Sequence, residues 1–185
     1  MKATVPPIDE RDLGFLDEMR GADPLHLVIK SAIYVEHELI ELCRLALPQP
    51  EALDGARFQL GQRIALAVAL GLTTELRGPL KMVAKIRNEF AHDLTSSITH
   101  RMATDLYSSF SPDSQASILK TFERVRSEQA EPANHPSTFF EYEPMDRFKI
   151  CVINVRQALR AAQIHAVRHH QEIARLRKSE QKPRQ

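Results

Sequence analysis

From Leu25 to Leu47 the chain contains neither glycine nor proline, and its apolar residues recur mostly at intervals of three and four: Leu25, Val28, Ile29, Ala32, Ile33, Leu39, Ile40, Cys43 and Leu47. That period is the signature of an amphipathic helix. Asp23-Pro24 supplies its start, an N-cap carboxylate followed by proline at the first helical position. The same economy of breakers extends along the chain: there are six glycines, and most of the eleven prolines gather at the N-terminus, at 48–50 and in 132–144. Long uninterrupted stretches exclude a fold of many short strands. At 185 residues one domain can bury a core without metal or disulfide staples. The expected fold is all-α: a compact bundle of six or seven helices ending in a long C-terminal helix.

The remaining helices follow from the same signals. Asp9 can cap a short helix over 10–20. A loop at Pro48 and Pro50 leads to a helix over 57–70 that Gly71 ends. The next covers 74–92, with Thr74 as cap, Leu76, Leu80, Val83, Ala84, Ala91 and Leu94 inward, and Pro79 forcing a kink or a late start. Helices over 99–110 and 114–129 precede a proline-rich connection, 130–144, whose aromatics predict packing on the body. The last helix opens near Met145, carries the stripe Phe148, Val152, Val155, Leu159 and Ala162, and continues past residue 175. The chain divides into an N-terminal arm and short helix (1–22), a bundle domain (23–166) and a basic helix end and tail (167–185).

Net charge is +1, but residues 156–185 hold eight Lys/Arg against two Glu, a local +6 that leaves −5 in residues 1–155. Cys43 and Cys151 sit in apolar helical patterns without CxxC spacing and read as reduced core thiols, with a single disulfide left open. No apolar run approaches membrane-spanning length and the N-terminus lacks a signal-peptide stretch, so no membrane association and a cytoplasmic location are expected.

Two charged residues occupy places where this periodicity calls for apolar ones. Glu36 falls within the stripe Ile29/Ala32/Ile33/Ile40/Cys43, and Arg87 falls between Leu80, Val83, Ala84 and Ala91. A buried charge needs an opposite partner, so Glu36 and Arg87 are expected to pair across two packed helices as a structural clamp. Asn88 and His92 follow Arg87 in the string R-N-x-x-x-H. A histidine beside such a charge is a candidate proton carrier near neutrality.

The stretches HLVIKSAIYVEHELIELCRLAL (26–47), FQLGQRIALAVALGL (58–72) and LKMVAKIRNEFAHDL (80–94) resemble corresponding segments of the mannitol operon repressor family, and the resemblance covers residues 23–110. It implies a helical bundle that regulates transcription of a sugar-alcohol operon. The string Arg87-Asn88-x-x-x-His92 is also similar to the signature of the broader HEPN superfamily, many of whose members are metal-independent ribonucleases working as dimers. That likeness implies His92 as acid/base at the ribose 2′-hydroxyl, Arg87 as stabiliser of phosphoryl charge and Asn88 as a polar helper. A Glu36–Arg87 clamp would hold the arginine away from phosphate, which ranks the nuclease behind a non-catalytic regulator.

For DNA, Ala67–Leu80 has the outline of a helix-turn-helix, but its second helix carries the apolar stripe and Gly78-Pro79 interrupts it. The basic end is the better candidate for nucleic-acid contact, through Arg168, Arg175, Arg177 and Lys178, with Lys182 and Arg184 beyond them. Such contacts would be salt-sensitive and blind to base sequence. His165 and His169 are four apart without a completing carboxylate or cysteine, so no metal is expected. Walker, dinucleotide, nucleophile-elbow, HExxH and paired CxxC motifs are absent, and no cofactor is expected. The reading is a non-catalytic regulator acting through a protein partner. A ribonuclease using Arg87, Asn88 and His92 and a helical adaptor are the alternatives, and a homodimer through the long last helix is left open.

Overall fold

The structure, a computed structural model, describes residues 14–15, 18–19, 21, 23–92, 97–127 and 136–180, with the side chains at 125, 173–174 and 176–180 outside that description. Its described residues form six α-helices and no strand: α1 (Pro24–Ala46), α2 (Leu60–Ala69), α3 (Arg77–His92), α4 (His100–Ser108), α5 (Pro112–Ser127) and α6 (Pro144–Glu180). The helix expected over 10–20 lies largely outside the described residues, as does Leu94.

The caps act through ordinary side-chain chemistry. Asp23 Oδ1 accepts from His26 N at 3.0 Å, with Pro24 opening α1. Gln59 and Gln62 form a reciprocal capping box at α2, and Thr99 Oγ1 accepts from Met102 N at 3.1 Å to start α4; each satisfies an orphan N–H of a helix's first turn. Gly71 ends α2 at φ +108°. Gly71 N donates to Val68 O and Leu72 N to Ala67 O, the paired bonds of a glycine-closed helix end. The cap expected at Thr74 is provided by Thr73 instead, before a 3-10 turn over Thr74–Leu76. Pro79 then falls in the first turn of α3, where its missing N–H leaves no bond unmade. A late start, not a kink, resolves the proline.

α1 lies along α6, and α3 packs on α1; α2 bridges α1 and α3, while α4 and α5 close on α6. The core runs through Val28, Val35, Leu39 and Leu42 of α1, Val83, Ile86 and Phe90 of α3, and Phe148, Val152, Val155 and Leu159 of α6. The aromatic connection packs on the body as expected over its described part: Phe139 and Tyr142 are buried, and Phe122 meets both rings edge-on at 5.9 and 4.9 Å.

α1 and α3 are rotated from the expected phase. Ile33 is 55% exposed, and the buried line of α1 passes through Ser31, Val35, Glu38 and Leu42. In α3 the inward line steps from Val83 to Ile86 and Phe90, which leaves Ala91 exposed. Burying a branched aliphatic and a phenyl ring, each worth roughly 1.5–3 kcal/mol, outweighs burying one alanine methyl beside an arginine.

Gly78 is a point of close approach between helices. A Cβ there would stand 2.6 Å from the carbonyl oxygen of Ser109, so backbone must move to admit it. Gly78→Ala is expected to destabilise the protein by about 1–3 kcal/mol despite raising helix propensity. An unchanged urea midpoint would show that the α3–α4 approach is not tight.

Candidate functional site

The expected Glu36–Arg87 clamp is replaced by a different arrangement. Glu36 is half-buried and takes its hydrogen-bonded ion pair from Arg63 of α2. Arg87 is exposed, and its Nη1 donates to Asn88 Oδ1 at 3.1 Å. The cause is the rotation of α3: with Ile86 and Phe90 inward, position 87 turns to solvent.

That rotation puts the whole polar content of KIRNEFAHD that is described on the surface. Lys85, Arg87, Asn88, Glu89 and His92 are all exposed, and only Ile86 and Phe90 enter the core. A groove of about 540 Å³ runs between α2 and α3, walled by Lys81, Lys85, Asn88 and His92 of α3 and by Gly61 and Ile64 of α2. Asn88 and His92 are one helical turn apart on this wall, and Arg87 is joined to it through Asn88. Lys85 and Glu89 form a loose i,i+4 pair at 3.9 Å, so the wall is net cationic. His92 ends the helix. The three residues of R-N-x-x-x-H are thus brought together in the open.

The buried charge that α1 does carry is Glu38. Its Oε1 accepts from Arg156 Nε at 3.1 Å, and Gln163 Nε2 donates to its Oε2 at 2.7 Å and to its backbone carbonyl at 3.0 Å. Both ionic side chains are almost solvent-free, 2% and 3% exposed. The Arg156 guanidinium also stacks over Phe15 and Tyr34, 4.5 and 5.2 Å from the ring centres. Arg156, Arg160 and Gln163 lie four and three apart on α6, all buried, a polar row inside an apolar face. That spacing, opposite a glutamate flanked by Leu39 and Leu42, is visible in the sequence, but it marks a buried pair only once the phase of α1 is known.

A second buried arginine has no carboxylate partner among the described residues. Arg147, 2% exposed, donates from Nη2 to Thr104 Oγ1 at 2.7 Å and lies 5.4 and 5.3 Å from the ring centres of Phe139 and Phe140. Burial lowers its pKa, and the ring faces supply part of the missing negative charge. Burial likewise pushes the neighbouring Cys151 thiol up to about 12. Cys43 and Cys151 are both free and buried.

On the basic end, Arg168 and Arg175 are exposed along α6, with His165 and His169. The side chains of Arg177 and Lys178, and all of Lys182 and Arg184, lie outside the described residues. Among the described residues no helix is long and apolar enough to cross a membrane. No known family's profile matches the chain, and neither the curated proteins nor the solved structures contain a match to it.

The Glu38 network makes a quantitative demand. Arg156→Met alone leaves a buried carboxylate short of its cation and is expected to cost about 3–5 kcal/mol. Glu38→Met with Arg156→Met together should cost clearly less than the two single changes summed, because neither charge is then stranded. Additive losses in urea unfolding would show that the pair is not coupled.

Proposed function

We propose that the protein is a non-catalytic regulator of transcription of the mannitol operon repressor type, and that the exposed face of α3 is its contact surface for a protein partner. The observation that carries this reading is that Arg87, Asn88 and His92 are all exposed and serve no core function. The segments resembling the mannitol operon repressor family include this string, and a fold that does not need those side chains leaves recognition as their role. A shallow groove with cationic walls suits an acidic or polar protein surface, where exposed arginine and histidine give direction and specificity.

A second reading has a specific observation behind it. Arg87 is not neutralised by Glu36, so the objection to HEPN-like RNA cleavage falls away. Its guanidinium is free to reach a phosphate, and His92 is open to a ribose hydroxyl. In that chemistry the imidazole removes the 2′-hydroxyl proton as the oxygen attacks phosphorus, and a protonated group returns a proton to the departing 5′-oxygen. One chain presents one such histidine in the string, so the two proton transfers call for a second copy across a dimer cleft.

Exposed positions tolerate replacement, so Arg87→Ala and His92→Ala should each change stability by less than about 0.5 kcal/mol. In the native host the double variant should derepress a sugar-alcohol operon as fully as deletion of the gene, while the purified variant keeps the wild-type melting curve. Unchanged transcript levels in the deletion strain would refute the regulator. Cleavage of single-stranded RNA in EDTA by the wild type, lost in His92→Ala, would establish the nuclease instead; intact RNA at high protein concentration would dismiss it.

A further inference from the structure

A second groove, on the other side of the molecule's chemistry and sharing no residue with the α3 wall, lies between α5 and α6. It encloses about 540 Å³, within the range of small-molecule sites. α5 has two faces. Ile118 and Phe122 point into the core, while Ser114, Ser117, Thr121 and Arg124, spaced three and four apart, line the groove together with Lys120. Across from them α6 presents Asn154 and Gln157, and the small residues Ala158 and Ala161 leave the floor open above Leu76 and Phe110.

Among the described residues the charge in this groove is uncompensated. Lys120 and Arg124 are one helical turn apart, about 5–6 Å between their Cβ atoms, and no carboxylate lines the space. Neither cation is in an ion pair among the described residues. Glu123, the acid beside them on α5, faces Arg126 at 3.9 Å and does not line the groove. Two long, unpaired cationic side chains one turn apart can both donate to one phosphate, which accepts from each.

The neutral polar groups are divided in a similar way. Thr121 Oγ1 and Asn154 Oδ1 bridge the two helices at 3.4 Å, and Asn154 Nδ2 donates to Ile150 O at 2.8 Å. Ser117 Oγ and the half-buried Gln157 amide have no side-chain hydrogen bond among the described residues. The polar atoms of Gln157 are open to the groove and not buried without a partner. Its carbonyl and amino groups can accept from and donate to hydroxyls.

We propose that the α5–α6 groove binds a small phosphorylated, hydroxyl-bearing metabolite, its phosphate held by Lys120 and Arg124 and its hydroxyls by Ser117 and Gln157. This site stands independently of the α3 surface, so failure of either leaves the other in place.

Calorimetric titration of the full chain with inorganic phosphate, glucose 6-phosphate and glucose tests it. Glucose 6-phosphate should bind most tightly, phosphate more weakly, and glucose without saturation. Lys120→Gln with Arg124→Gln, both at exposed positions, should weaken both anions at least about tenfold, the effect of losing a charge-assisted contact. Gln157→Leu should remove the advantage of the sugar phosphate over phosphate while leaving phosphate binding intact. The proposal is overturned by no saturable binding of either anion, by binding that survives loss of both cations, or by equal affinity for phosphate and glucose 6-phosphate.

Discussion

The bundle depends on one buried ionic contact between its two longest helices. Glu38 of α1 and Arg156 of α6 meet at 3.1 Å where neither touches solvent, and Gln163 completes the carboxylate's bonding. A pair this dry adds little net stability over apolar side chains of the same size, because desolvation offsets attraction. What it does is penalise every other rotation of the two helices, since any such rotation strands a charge. The register of α1 on α6 then decides which face of α1 receives α3.

That chain of consequence reaches the surface. With Val28, Val35 and Leu42 inward, Glu36 sits at the edge of the core, close enough to α2 for Arg63 to bind it. α3 packs with Ile86 and Phe90 toward α1, and the polar side chains between them face water. The two grooves differ in lining. The α2–α3 groove is walled by side chains that a helix of ordinary amphipathic design leaves outside. The α5–α6 groove is lined on α6 by the small side chains of Ala158 and Ala161 beside Asn154 and Gln157.

Much of the local structure was legible from residue order. The start of α1 at Asp23-Pro24, the stop at Gly71, the start of the last helix and the packing of the 139–142 aromatics followed from caps, breakers and apolar spacing, each governed by residues within a turn of one another. The site was less legible. Apolar spacing points Glu36 and Arg87 inward, because alanines and isoleucines beside them form a stripe, yet two adjacent stripes are nearly equivalent by apolar count. Glu38 and Arg156 are hard to place from residue order, because a charged residue belongs outside unless an opposing charge on a distant helix meets it. Arg147 shows the same limit: its place over Phe139 and Phe140 depends on a connection folding back across α4 and α5.

By itself the sequence determined that this chain is helical, which stretches of the described residues form its helices, and that KIRNEFAH closes one of them. These properties rest on interactions among near neighbours, whose energies are set before the chain is compact. Only the tertiary structure decided which way each helix faces. A turn of one residue changes the facing direction by about 100°, and the choice between two such phases belongs to the volume and charge of the helices packed opposite. For this protein that choice moved Arg87 from a presumed core clamp to open solvent and sent Glu38 into the core in place of Glu36.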